Sequence, residues 1–426
     1  MRKTKLTRWV ALGGVAGLAI SSSALAQSTS SSAASTYSIV DTPSVATAPS
    51  HYSINGTFET EYQSNVAGGS AAVSALRGLK REDVVFTPTL LVDAFKPIGP
   101  ESVFLTGSVG YNFYDRNTIL NRENFDLTGG VNGQLGICRA TVTGGYIRRQ
   151  DELQDITLAR VQDVFDQTSI GMEGACGRGF GFSPIFSITQ AWSTNSLSLL
   201  QSSNYSSLGG SGGISYQAPT LGNLSLFGQY QTTTFPNRFV PFNQGETQDG
   251  FNTYGGGVKY VRLLGARIQG TVSLSYTSVQ PFVSGTGGFD GLTYSADVTY
   301  RASSRLDFHG SFIRDVQPSN VPDSTYYIET KSLVEGTYHV GSRIDVNLGL
   351  SQADRTFKGS SLLPNLTNLT NFDLRSDTLK TVYGVVTYRL RKLYVALSAR
   401  NEFRSANVPE LSYTDNRVGL TVGTNF

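Results

Sequence analysis

Residues 103–114 read Val103-Phe104-Leu105-Thr106-Gly107-Ser108-Val109-Gly110-Tyr111-Asn112-Phe113-Tyr114. Every second residue from Val103 to Phe113 is apolar, aromatic or glycine, and the residues between are mostly polar or small. Side chains alternate across a strand and advance by about 100° around a helix, so this stretch is a long strand with two unlike faces. Working outward, the same period governs Phe125, Leu127, Gly129, Val131 and Leu135 against Asp126, Thr128, Gly130, Asn132 and Gln134. It returns in Ile268, Val272, Leu274 and Tyr276 against Arg267, Gln269, Thr271, Ser273 and Ser275, and in Leu393, Val395 and Leu397 against Tyr394, Ser398, Arg400 and Glu402.

Composition agrees with strands throughout. The chain has 46 Gly, 21 Tyr and 23 Phe, only 2 Met, and 15% charged residues, a poor mixture for helices and a good one for sheet with one apolar face.

Alternation alone also fits a soluble sandwich, and loop lengths separate the two. Short turns recur at Pro97-Ile98-Gly99, Gly136-Ile137, Gly177-Arg178, Thr220-Leu221-Gly222, Leu264-Gly265, Ser303-Ser304, Gly341-Ser342 and Arg391-Lys392. Their spacing of roughly 40 to 50 residues holds two long strands and one longer loop. The longer loops fall at Asn65 to Glu82, Pro241 to Asp249 and Lys358 to Arg375.

Short turns at one rim and long loops at the other predict an all-β protein, a transmembrane antiparallel up-and-down β-barrel of about 18 strands. Its outward face meets outer-membrane lipid. Closure follows from physics, because an open sheet edge in hydrocarbon leaves N–H and C=O groups unpaired.

The amino terminus reads as a Gram-negative secretory signal. Arg2, Lys3, Lys5 and Arg8 precede an apolar run from Trp9 to Ile20 and a small-residue Ala24-Leu25-Ala26 site. The expected division is a signal peptide at residues 1–26, a Ser/Ala/Thr-rich leader at 27–50, and the barrel at 51–426. Removing the signal leaves 30 of the 34 Lys and Arg against all 32 acids, with no basic run for a nucleic-acid groove, so no nucleic-acid partner is expected.

Candidate chemistry is sparse. Cys138 and Cys176, the only cysteines, start and end one hairpin, and a structural disulfide in an oxidising periplasm is favoured over two separate buried thiols. His51, His309 and His339 show no metal-ligand spacing. Gly209-Gly210-Ser211-Gly212-Gly213 matches a nucleophile elbow in letters, but it lies within an alternating strand rather than at a strand-to-helix turn. Neither an enzyme nor a cofactor is expected.

Function then rests on the lumen. By parity, Asp126, Arg139, Lys259, Arg267, Asp297, Asp307, His309, Glu329, Lys331, Glu335, Arg389, Arg400, Glu402 and Arg417 point inward. Their mixed signs suit a hydrated path for neutral or weakly charged polar solutes. Phe104, Tyr114 and Tyr394 also face inward, as platforms for sugar rings or as packing.

The last strand keeps Val418, Leu420, Val422 and Phe426 on one parity and ends on that aromatic. This resembles the C-terminal signature by which the barrel-assembly machinery recognises its clients. The ending Tyr413-Thr414-Asp415-Asn416-Arg417-Val418-Gly419-Leu420, with the ladder of Tyr-, Phe- and Gly-rich hairpins, resembles the putative β-barrel porin 2 family of proteobacteria over about residues 51–426. That resemblance implies a barrel that works in exopolysaccharide export beside a periplasmic polysaccharide-export protein. It carries over no individual binding residue. Two function classes follow: a transport conduit, for exopolysaccharide or as a general diffusion porin, and a structural or adhesive surface barrel with an occluded lumen.

Overall fold

The computed structural model describes residues 49–150, 163–177, 180–242, 245–264, 267–283, 287–321, 324–359 and 375–424. The signal peptide, most of the leader and Phe426 lie outside these residues.

The strands are β1 His51–Gln63, β2 Asp83–Ile98, β3 Glu101–Tyr114, β4 Arg122–Leu135, β5 Cys138–Gln150, β6 Val164–Cys176, β7 Gly181–Asn195, β8 Tyr205–Ala218 and β9 Gly222–Phe242. They continue as β10 Gly245–Leu264, β11 Ile268–Pro281, β12 Phe289–Arg301, β13 Leu306–Pro318, β14 Tyr326–Val340, β15 Ile344–Lys358, β16 Ser376–Arg389, β17 Leu393–Ala406 and β18 Tyr413–Thr424. Each pairs antiparallel with its sequence neighbours in one 18-stranded sheet, and β1 pairs with both β2 and β18. The sheet is therefore a closed up-and-down barrel with no free edge.

All eight expected short turns join strands at one rim. Gly136 and Gly341 take left-handed backbone there, with φ of 62° and 69°, which a Cβ would disfavour. At the other rim, Asn65 to Glu82 is more than a polar loop. It holds a one-turn helix, α1 Ala71–Leu76, over buried Val66, Ala67 and Leu79, and Ser70 Oγ accepts from Val73 N at its start.

Pro241 to Asp249 is not a loop: β9 and β10 run on through most of it as an extended hairpin. The expectation failed because proline and glycine mark turns inside a bilayer-spanning sheet, whereas above the membrane water satisfies the groups that they leave unpaired. Of Lys358 to Arg375, residues 360–374 lie outside the described set.

Register confirms that one parity faces out. Leu348 is 63% exposed and Leu226 is 65% exposed, too much apolar surface for a protein in water alone. Exposed aromatics gather in two bands. Tyr52, Phe182, Tyr216, Tyr300, Tyr338 and Tyr388 lie near the short-turn ends of their strands, and Tyr62, Phe113, Trp192, Tyr230, Tyr276 and Phe403 lie further toward the loop ends. Rings at both interfaces with aliphatic side chains between are the outer surface of a membrane barrel.

Candidate functional site: the lumen and its loop-side mouth

Parity carries the polar side chains inward. Asp126 on β4, Arg139 on β5, Lys259 on β10, Asp297 on β12, Asp307 and His309 on β13, and Glu329, Lys331 and Glu335 on β14 all stand opposite the exposed apolar rows. So do Arg389 on β16, Arg400 and Glu402 on β17, and Arg417 on β18. Arg267 departs from the expectation. It sits in the turn before β11, exposed at the rim, because the strand begins one residue later.

Two charged groups form. Near the short-turn end, His309 lies 2.9 Å from Asp297 and 3.3 Å from Glu335. His339 lies 2.5 Å from Asp345 and 3.5 Å from Asp307. Arg389 reaches Asp345 at 2.6 Å, Arg301 reaches Asp307 at 3.5 Å, and the Tyr383 hydroxyl donates to Glu335 at 2.6 Å. His51 faces Asp93 at 3.4 Å, so each histidine of the chain meets a carboxylate on this inner wall.

Toward the loop end, three guanidiniums converge on Asp377, from Arg404 at 2.5 Å, Arg355 at 2.9 Å and Arg375 at 3.8 Å. Beside them Arg400 pairs with Glu402 at 2.5 Å, and Arg417 pairs with Asp415 at 2.6 Å. Lys259 and Glu329 are buried, whereas Asp126, Arg139 and Lys331 join neither group.

The uncharged wall, which charge-based reading passed over, differs by sector. On β7 to β12 many inward hydroxyls and amides are buried or half-buried and bond one another: Ser187 to Ser211, Ser207 to Thr233 and Gln231, Ser215 to Asn223, and Thr293 to Ser275 and Thr277. From β1 to β5 and β12 to β16, small polar residues such as Thr57, Thr106, Thr128, Thr299, Ser311 and Asn347 stay accessible. Phe104 and Tyr114 face inward half-buried, and Tyr394 is buried.

At the loop-side mouth the β9–β10 hairpin is tied to its neighbours. Thr234 pairs with Gly250 and Phe239 with Gln248, so Phe235-Pro236-Asn237-Arg238 bulges out of β9 against the single residue Asp249. Pro236 has no N–H for the ladder, which favours such a break. The bulge sends Phe235 into a buried cluster with Tyr205, Phe251, Val279 and Tyr326, drawn from strands β8 to β14.

Arg238, its side chain 1% exposed, stacks over Phe235 at 4.1 Å and donates to Ser202 O at 2.9 Å and Ser324 O at 2.8 Å. It pairs with Asp249 at 3.4 Å, and Thr325 donates to the same carboxylate at 3.0 Å. The extended hairpin is thereby tied to the β7–β8 loop and to the start of β14, four strands further round the wall.

Neighbouring loops are ordered by carboxylates at strand ends. Asp83 accepts from Arg116 N and Asn117 N at 2.9 and 2.8 Å, and Asp163, its carboxyl raised above the ordinary range chiefly by burial, accepts from Leu197 N at 2.7 Å.

At the opposite rim Cys138 and Cys176 are direct register partners joined by a disulfide. Their parity is the outward one. Among the described residues no group of three or more His, Cys, Asp or Glu is arranged to hold a metal.

Residues 222–426 match the family model described as "Putative beta-barrel porin 2". Over these residues, just under half of its length, the chain is similar to that family. The match takes in the closing strands β9 to β18, while residues 51–221 of the expected span lie outside it. With the two aromatic bands, that match places the barrel in the outer membrane. No curated protein matches the chain in sequence.

Among solved structures, OccK2 (OpdF) of Pseudomonas aeruginosa in complex with glucuronate is similar at 11% identity and a TM-score of 0.45, covering 88% of this chain and 98% of that one. OpdK of the same organism with vanillate gives 10%, 0.43, 88% and 99%. The FrpB iron transporter of Neisseria meningitidis, F5-1 variant, gives 8% and 0.47, with 83% of this chain and 62% of that one covered.

Proposed function

We propose that this barrel is a gated conduit that passes polysaccharide across the outer membrane, with export of an exopolysaccharide as its work. The observation that carries the reading is the accessible sector of the inner wall, where small hydroxyl and amide side chains on β1 to β5 and β12 to β16 face the lumen. Sugar hydroxyls exchange hydrogen bonds with such a wall at many weak sites, and weak multiple sites let a polymer enter and still leave. An 18-strand wall is wide enough for an aqueous channel. The tied hairpin at the loop-side mouth is read as a stopper, which supports gating over free diffusion. A periplasmic polysaccharide-export protein as partner and assembly by the barrel-assembly machinery belong to the same proposal.

A second reading, a surface barrel whose lumen stays shut, is favoured by that same stopper. The two separate in proteoliposomes loaded with size-graded neutral oligosaccharides. The conduit releases short oligosaccharides faster than protein-free liposomes do, and more so once the stopper is loosened. Full retention under both conditions, from a barrel shown to be folded, leaves only the surface reading.

A further inference from the structure

Positive charge at the periplasmic turns is concentrated on one side of the barrel. The four turn segments from β10 onward, residues 262–267, 301–307, 339–345 and 389–392, hold eight Lys or Arg against two carboxylates. Those two, Asp307 and Asp345, are already engaged by Arg301, His339 and Arg389. Arg267, Arg305, Arg343, Arg391 and Lys392 are exposed, and none of them makes an ion pair among the described residues. Over the equivalent stretches of the other four turns, residues 96–101, 135–139, 177–181 and 218–222, there are three cations, Lys96, Arg139 and Arg178, and one carboxylate, Glu101, with Arg178 outside the described residues.

Successive turns are two strands apart, about 10 Å along the rim at the usual interstrand spacing. The Debye length at 0.1 M salt is also about 10 Å, so neighbouring turns act as one positive crescent rather than as separate charges. A lipid annulus surrounds a barrel evenly, and cations meant for headgroups would do the same. This charge covers one arc, and it borders the entrance to the lumen. Its inner members, Arg301 and Arg389, continue into the lumen-facing belt.

We infer that this crescent captures a carboxylate-bearing polysaccharide at the periplasmic mouth and steers its end into the lumen. The inference rests on the conduit reading and names its substrate class. Guanidinium suits it, since its planar fork meets a carboxylate with two parallel hydrogen bonds. Neutral saccharide gains nothing from the crescent. An acidic chain gains both local concentration and orientation, and electrostatic focusing of this kind raises association rates by about 10- to 1,000-fold.

The test uses the whole mature barrel in planar bilayers, with oligogalacturonate or a neutral oligosaccharide of equal length added to the side that holds the turns. At 0.1 M salt the acidic probe should block at least tenfold more often than the neutral one. The triple variant Arg267→Glu/Arg305→Glu/Arg343→Glu should abolish that difference, and so should 1 M salt, where the Debye length falls to about 3 Å. Ile137→Glu/Thr220→Glu, at turns outside the crescent, should leave it intact. Equal block by both probes, or a triple variant that blocks like the wild type, overturns the crescent while leaving the conduit standing. A triple variant changed only in its retention in anionic-lipid membranes assigns these arginines to headgroups and overturns it as well. If no form conducts, oligogalacturonate binding to the detergent-solubilised barrel, measured by calorimetry, still decides the crescent separately from the conduit.

Discussion

Arg238→Ala should open the loop-side mouth. The guanidinium and the Asp249 carboxylate are each 1% exposed, and Arg238 also ties Ser202 and Ser324 to the bulged strand. Removing one member of a buried pair leaves its partner charged and poorly solvated, at a cost of about 3–5 kcal/mol. Only the stoppered arrangement bears that cost, because Asp249 reaches water once the hairpin swings free. At about 1.4 kcal/mol per tenfold, even 3 kcal/mol lowers the closed-to-open ratio by about two orders of magnitude. Arg238→Lys keeps the charge but loses the fork, and should fall between the two. The assay is single-channel recording, with the unheated and heated gel mobilities of each variant compared to show that the barrel has formed. An Arg238→Ala barrel that is folded and opens no more often than the wild type refutes the stopper as the gate.

Three further outcomes follow from the geometry. The double variant Cys138→Ser/Cys176→Ser releases a loop with a sequence separation of 38 residues, and urea unfolding in detergent should show a loss of about 4 kcal/mol on the chain-entropy account. A Cβ at Gly257 would lie 2.2 Å from Leu274 O, whereas one at Gly256 meets Phe227 O at an ordinary 3.5 Å. Gly257→Val should therefore cost about 1–3 kcal/mol in the same assay and Gly256→Val much less. Leu348→Arg puts a charge into lipid and should destabilise the barrel by about 2–4 kcal/mol, while Asn347→Arg, on the lumen side of the same strand, should fold normally.

The wall was legible in the sequence, and the stopper was not, for a physical reason. In a membrane sheet the lipid imposes alternation on every spanning strand, so parity alone assigns Val103 to lipid and Phe104 to the lumen, and all eight tight turns stand where Gly, Pro, Ser or Arg interrupts the pattern. Above the bilayer that constraint ends. Phe235-Pro236-Asn237-Arg238 breaks alternation just where it becomes an inward bulge, and a broken pattern does not say which way the chain goes. Parity also placed Arg400, Glu402 and Arg417 on one face without showing which guanidinium meets which carboxylate, because pairing depends on register, and it passed over Asp377 altogether. The periplasmic arginines were visible as letters in the turns, but their one-sidedness needs the order of the strands around the barrel.

The central claim is that saccharide passes through this lumen, and the most direct test is single-channel conductance of the refolded mature barrel with neutral oligosaccharides in the bath. The account predicts discrete openings, more frequent in Arg238→Ala, interrupted by blocks whose duration grows with oligosaccharide length. A correctly folded barrel that stays silent in both forms, or that conducts without any saccharide block, would contradict it.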